Sequence, residues 1–294
     1  MRTHRCEPTL SDSEVLDFCK NGFLMLKGVV PEETNRRTVE FLDFPALSGR
    51  PRPHEPSDIL AQDWFVDDVV LNEHAAGAVR SLLGNTFGLP VLVSNHRATC
   101  PGPAQEWHVD GNSRYGPELD YLQVFYYPQD CPIEMGPTEM LPGSHFLFSL
   151  QGYMGHYGTI RGSQHAVAPA GSIFLTVYSI WHRRSASTGE GIRNNLKYNY
   201  WRTVPPTRDW IAEPDFDPAT VDYSLPAPTF RQQSRDCHDS AEMFSWLCGE
   251  SGSFRNMGGQ GWPKGESVVS YIDKPYGVPA GLSAKYAQTQ EAIS

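Results

Sequence analysis

No stretch of this 294-residue chain approaches the roughly 18 consecutive apolar residues that a membrane-spanning helix needs. Basic residues are in deficit: 24 Lys and Arg stand against 34 Asp and Glu, for a formal net charge of -10. No charge run supplies the basic face that phosphate neutralisation requires, which argues against a nucleic-acid partner. Cysteine pairs of the C-x-x-C type are absent too. The six cysteines, Cys6, Cys19, Cys100, Cys131, Cys237 and Cys248, are spread too widely for a zinc ribbon and read as reduced thiols. Met1 to Pro8 carries Arg2, His4 and Arg5 but leads into polar residues rather than an apolar segment, so it does not read as a secretory signal. No internal repeat is evident. These absences leave the expectation of a cytoplasmic protein whose partner is a small molecule, with oligomeric state open.

What is present favours strands. Hydrophobic residues make up 39% of the chain and aromatics 12%, enough for a substantial core. The 26 glycines and 24 prolines divide the apolar residues into short runs, a pattern of strands and turns rather than of a helical bundle. We expect a single domain over 1-294, comprising helices and a first strand over 1-90, a core over 91-206 and a partly irregular extension over 207-294. In the first part, Ser11 to Lys20 has helical spacing with Ser11 and Glu14 placed as a capping box. Phe23 to Val30 reads as a buried strand, a helix runs from Pro31 towards Leu42, and another covers Glu73 to Leu83 before Gly84. Phe44 to Pro56 reads as a loop over a pocket. From Val91 the spacing predicts strands at Val91 to Thr99, Asp120 to Tyr127, Thr138 to Leu141, Gly171 to Tyr178 and Asn195 to Arg202. One helix, Ser240 to Cys248, interrupts the irregular end, and the order of the tail from Gly258 is open. The fold class implied is mainly β with flanking helices, in the form of a double-sheet jelly roll.

The segment Gln105-Glu106-Trp107-His108-Val109-Asp110 places an imidazole and a carboxylate two residues apart. On extended backbone, residues two apart share a face, so both side chains can reach one ion. His182 follows the apolar strand from Ser172 to Tyr178, at the rim of the expected barrel. Two histidines and one carboxylate form a facial ligand set that leaves open positions on iron(II) for a bidentate keto acid and O2. Arg193 lies eleven residues on, across a polar loop from Arg183 to Gly191, at the start of the strand that follows. Its fork of donors suits the distal carboxylate of 2-oxoglutarate. Set against this, a lone His-x-Asp is common, and either residue has the ordinary reading of a satisfied polar group at a strand end.

The chain resembles the phytanoyl-CoA dioxygenase family of iron(II) and 2-oxoglutarate oxygenases, built on a cupin-like double-stranded β-helix. The resemblance covers about the first 205 positions and rests on Asn21-Gly22-Phe23-Leu24, Trp107-His108-Val109-Asp110, the run from Met135-Gly136-Pro137 to Pro142-Gly143-Ser144-His145, Ala170-Gly171-Ser172, Trp181-His182 and Arg193. It implies Fe(2+) held by His108, Asp110 and His182, with Arg193 on the co-substrate. Gln105 fills a position that touches the co-substrate in several relatives, and Thr138 is a further candidate for that contact. Arg183 and Arg184 depart from the glycine and serine that follow the distal histidine in some relatives, which adds positive charge near the mouth. Hydroxylation of a small organic molecule, with release of succinate and CO2, is the implied reaction, and Asp110 in place of glycine or alanine disfavours halogenation.

Arg97, Arg114 and Tyr126 are candidates for substrate contact, each weighed against ordinary packing or surface charge. His145 reads as ordering a turn rather than binding metal. Two other classes stay open: a zinc-loaded metal-dependent hydrolase, which leaves Arg193 without a role, and a non-catalytic jelly-roll protein acting as a small-molecule sensor.

Overall fold

A strand covered on both faces loses the apolar-polar alternation of a half-solvated one. The strand Tyr121–Tyr127 is of that kind: all but its first residue are buried. The computed structural model describes residues 2–43, 55–110, 115–148, 151–218, 220–223 and 233–250. In it, this strand lies inside a seven-stranded sheet, between Leu196–Arg202 on one side and Ser172–Val177 on the other, both antiparallel to it. Phe23–Leu26 closes one edge against Ser172–Val177. Opposite this sheet stand a three-stranded sheet, ordered His182–Arg184, Thr138–Met140, Gln164–His165, and the pair Ser187–Arg193 with Ala98–Gly102. Two facing antiparallel sheets with flanking helices make a cupin-like jelly roll, as the sequence leads one to expect.

The two faces of the large sheet carry different residues. Leu122, Val124 and Tyr126, with Ile173, Leu175, Tyr198 and Tyr200 of the neighbouring strands, pack in one cluster with the helices Asp12–Asn21, Glu73–Leu83 and Gln233–Leu247. Phe125, Tyr127 and Phe174 point the other way and pack with Phe23, Met140 and Ile180 between the sheets. One strand therefore builds two cores, and its alternating residues decide which side chains enter the barrel.

Local sequence fixes the helix ends. Glu14 accepts from the Ser11 backbone N–H at 2.9 Å, and Gly22 ends the first helix with φ 80°, its own N–H reaching Phe18 O. A side chain at Gly22 would meet His145 Nδ1 at 2.3 Å, so glycine is needed for space as well as for conformation. The helix Glu73–Leu83 is capped by Asn72, whose side chain accepts from the N–H groups of His74 and Ala75.

Three expectations need correction. The strand foreseen over Val91 to Thr99 is broken, because the Ser57 hydroxyl occupies both the N–H and the C=O of Val93. Ser94–Asn95 then pairs in the large sheet and Ala98–Gly102 in the opposite one. His96 and Arg97 lie where the chain crosses between sheets. The polar run from Arg183 to Gly191, foreseen as a loop, forms parts of two strands, His182–Arg184 and Ser187–Arg193. Ala186, Thr188, Glu190 and Gly191 in it are exposed, which is why composition suggested a loop. The last helix begins at Gln233, earlier than its apolar residues indicate. The loop expected over Phe44 to Pro56 lies outside the described residues up to position 54, and so does the tail from Gly258.

The extension beyond Pro206 is tied back through Asp12, a buried carboxylate at the start of the first helix. It accepts from Arg208 Nε at 2.8 Å and Nη2 at 2.5 Å, from Trp210 Nε1 at 2.8 Å and from the Glu213 N–H at 2.7 Å. Trp210 packs its ring against Phe244, and Trp246 lies under the Arg202 guanidinium at 4.9 Å. Among the described residues no helix is long and apolar enough to cross a membrane, and five cysteines are free thiols.

Candidate metal centre

Trp107 and Val109 are buried in an apolar cluster with Leu141, Met154 and Trp181, so the residues between and after them, His108 and Asp110, face the barrel. Trp107 is pinned further by Nε1 donating to Gly158 O at 2.8 Å and by the Arg183 guanidinium over its ring. His108 and His182 form an isolated antiparallel bridge with reciprocal N–H to C=O bonds of 3.0 Å. This pairing brings two residues 74 positions apart side by side, with ring centroids 4.4 Å from one another.

The ligand atoms converge. His108, Asp110 and His182 each offer one atom, all within 4.8 Å of one another. Asp110 Oδ1 lies 3.9 Å from His108 Nε2, and Oδ2 lies 3.5 Å from His182 Nε2. Each imidazole meets a main-chain carbonyl two residues back through Nδ1, Glu106 O at 2.9 Å and Ile180 O at 3.1 Å. A carbonyl only accepts, so Nδ1 carries the proton and Nε2 presents its lone pair to the centre.

Around these three stand groups that the sequence reading did not single out. Gln123 Nε2 and Lys197 Nζ both donate to Asp110 Oδ2. Burial pushes the Asp110 carboxyl up, but His182, Lys197 and Gln123 outweigh it and hold the group well below the usual carboxylate range. Burial, reinforced by the charge of Lys197, pushes His182 down to about 3, so its imidazole is neutral near pH 7. His96 is pushed down to about 4 by the same two causes. A signal for the missed residues did exist. Gln123 is the one polar residue in an otherwise aliphatic and aromatic strand, Lys197 alternates with the buried Tyr198 and Tyr200 in its own, and their parity marks the barrel-facing side.

The cavity of about 170 Å³ beside these residues is lined by Gln105, Thr138, Arg193, Arg184, Lys197 and Asn195, among others. Arg193 is 4% exposed; its Nη2 donates to Tyr127 Oη at 3.1 Å and Thr138 Oγ1 at 3.0 Å, while Nε has no partner. No carboxylate pairs with this guanidinium among the described residues. Thr138 Oγ1 accepts from both Arg193 and Tyr127, which leaves its own O–H to donate elsewhere. Gln105 sits exposed at the rim, its Oε1 accepting from the Arg184 N–H at 3.1 Å.

The three substrate-contact candidates divide. Arg97 lines the cavity and is paired with Asp43. Arg114 lies outside the described residues. Tyr126 is a correction: it projects from the opposite face of its strand, where its hydroxyl donates to Asn35 Oδ1 at 2.6 Å under the helices. The error arose because a doubly buried strand shows no apolar-polar alternation, and its parity is set by a single polar residue, Gln123.

His145 is not part of the ligand cluster. Its Nε2 meets Cys19 O at 3.1 Å, its carbonyl accepts from Ser179 Oγ, and the adjacent Ser144 Oγ accepts from the Trp181 N–H at 2.9 Å. The Pro-Gly-Ser-His run thus fastens the first helix to the residues just before His182.

No family model matches the chain, and no curated protein matches it in sequence. Among solved structures it is similar to HygX from Streptomyces hygroscopicus with nickel and 2-oxoglutarate bound, at 20% identity and a TM-score of 0.52 over 67% of this chain and 88% of that one. HygX with nickel, 2-oxoglutarate and hygromycin B bound gives 18% identity and a TM-score of 0.52, over 66% of this chain and 88% of that one. HygX with iron bound gives 18% and 0.50 over the same shares. At this identity the likeness establishes the jelly-roll fold that the sheets already define.

Proposed function

We propose that this chain is an iron(II)- and 2-oxoglutarate-dependent oxygenase that hydroxylates a small organic molecule, akin to the phytanoyl-CoA dioxygenase family. The observation that carries the reading is the presence of three converging ligand atoms beside a cavity whose lining holds a buried guanidinium with no carboxylate of its own.

The donor set fits the metal. Two neutral imidazole nitrogens and one carboxylate oxygen suit iron(II) and leave room for further ligands. Zinc in a hydrolytic site accepts similar donors but gives Arg193 nothing to bind. Iron(II) and 2-oxoglutarate, when bound, would supply oxidative chemistry with O2 in which the keto acid leaves as succinate and CO2 and the substrate gains a hydroxyl group.

The protein's own residues do the positioning. His108, Asp110 and His182 would hold the metal, with the two Nδ1 to carbonyl bonds fixing which nitrogen faces it. Gln123 and Lys197 occupy Oδ2 of Asp110 and so steady the carboxylate. Arg193 would take the distal carboxylate of 2-oxoglutarate, and Thr138 would add its free O–H from the same wall. Gln105 would contact the co-substrate from the rim.

The test is succinate formation from 2-oxoglutarate with iron(II), in wild type and His108→Ala, together with metal content. Turnover that disappears in the variant along with bound iron supports the reading. Zinc retained after purification, with no uptake of 2-oxoglutarate, would overturn it in favour of a hydrolase.

A further inference from the structure

In a protein of net charge -10, the lining of the cavity beside the metal ligands carries Arg97, Arg183, Arg184, Arg193 and Lys197 and no carboxylate. These cations differ in what neutralises them. Arg97 is paired with Asp43, and Arg183 Nε with Glu139 at 2.6 Å, so neither has charge to spare. Taking the proposed function as given, the two charges of iron(II) are matched by Asp110 and the proximal carboxylate of 2-oxoglutarate. The distal carboxylate is matched by Arg193. Lys197 and Arg184 are left.

Lys197 is 8% exposed and leans on Asp110, whose single negative charge the metal would share. Arg184 has no ion-pair partner among the described residues, and its Nη1 is buried without a hydrogen bond. Its backbone is held on both sides by Gln105, through Gln105 N–H to Arg184 O at 2.9 Å and Arg184 N–H to Gln105 Oε1 at 3.1 Å. A guanidinium with a buried, unpartnered nitrogen and a buried ammonium whose one carboxylate would be shared with the metal leave positive charge in excess on one cavity. That excess is unfavourable unless an anion joins them.

We infer that the substrate carries an oxyanion of its own, a carboxylate or a phosphate, which Arg184 and Lys197 bind beside the metal. Arg184 offers a planar fork suited to either group, and Lys197 a point charge. This deepens the functional reading above and rests on it.

The experiment uses the full chain loaded with nickel(II), which binds such ligands without oxidative turnover. 2-Oxoglutarate is titrated first by calorimetry. Inorganic phosphate and acetate are then titrated separately onto the loaded protein at constant ionic strength, with retention of 2-oxoglutarate followed by equilibrium dialysis. At least one anion is expected to saturate a single site with 2-oxoglutarate retained, and to bind about tenfold or more weakly to Arg184→Gln. The anion that saturates distinguishes a phosphoryl from a carboxylate substrate. Retention of 2-oxoglutarate by Arg184→Gln shows that the variant is folded. The inference is overturned if neither anion binds, if binding expels 2-oxoglutarate, or if Arg184→Gln binds the anion as wild type does. It is also overturned if that variant loses 2-oxoglutarate, which would assign Arg184 to the co-substrate. Failure of wild type to take up 2-oxoglutarate at all would remove the functional reading itself, an outcome distinct from uptake without a second anion.

Discussion

Replacing Arg193 with methionine is expected to change ligand affinity and protein stability in opposite directions. The guanidinium is 4% exposed, has hydroxyl partners but no carboxylate, and leaves Nε without an acceptor. In the ligand-free protein its charge is poorly compensated, and replacing such a group by an apolar one of similar volume is neutral or stabilising, by up to about 2 kcal/mol. The hydroxyls it leaves behind remain satisfied: Tyr127 O–H donates to Thr138 Oγ1 at 3.0 Å and accepts from the Thr138 N–H at 2.8 Å. Binding moves the other way. Two charge-assisted hydrogen bonds to the distal carboxylate are worth about 1.5 kcal/mol or more each, so their loss weakens 2-oxoglutarate by about 3 kcal/mol, or about a hundredfold. Calorimetric titration of the nickel-loaded protein measures the second effect, and urea unfolding of the ligand-free protein the first. A variant that loses several kcal/mol of stability would show Arg193 to be a structural cation. One that keeps 2-oxoglutarate affinity within threefold would remove it from the site.

Other perturbations test the parts around it. Gln123→Leu removes a neutral donor from Asp110 without adding charge, and should lower metal affinity about tenfold while leaving unfolding nearly unchanged, as read by competition with a chelator. Asp12→Asn should destabilise the fold by about 3 kcal/mol at neutral pH, the lower end of the range for a broken buried pair because Arg208 is 41% exposed. Burial pushes the Asp12 carboxyl up, but its bonds from Arg208, Glu213 and Trp210 prevail and lower it. A lowered carboxyl contributes stability above its unfolded value, near about 4, and loses it as pH falls through the folded value. Wild type should therefore lose more stability than Asp12→Asn between pH 7 and pH 2; equal losses in urea melts would refute the role. Gly22→Ala and Gly28→Ala both enter positive φ, but a side chain at Gly22 meets His145 Nδ1 at 2.3 Å, whereas at Gly28 the nearest atom is at 3.6 Å. Thermal melts should show a loss of about 1–2 kcal/mol for Gly28→Ala and clearly more for Gly22→Ala.

Sequence carried the ligand geometry well because it depends on a local rule. His108 and Asp110 are two apart, their neighbours Trp107 and Val109 are apolar, and extended backbone then separates the pairs by face without any long-range information. The helix Glu73–Leu83 was legible for the same reason, since its terminal Gly84 directly follows the periodic run. What could not be read depends on partners far along the chain. The break at Val93 is caused by Ser57, and the crossing it creates places His96 and Arg97 at the cavity. Lys197 gains significance only because the sheet register sets it across from Phe125, two residues from the Gln123 that shares its carboxylate.

The arrangement of cores explains why this centre can be rigid in a chain with so many turns. The strand that supplies Gln123 and Phe125 on its barrel face supplies Leu122, Val124 and Tyr126 to the helices on the other, so moving one side chain at the site means moving the helix layer as well. His182 is held similarly. It bridges to His108 through the backbone, Phe125 meets its ring edge-on at 5.3 Å, and Ser144 fixes the N–H of the preceding tryptophan. His108, Asp110 and His182 are thus oriented by backbone pairing and by packed neighbours, while Arg193 Nε and Arg184 Nη1 have no hydrogen-bond partner and the Thr138 O–H is left to donate. A structural metal would give these spare donors nothing to bind, whereas the proposed site, which would take up the co-substrate and a second anion, would use them.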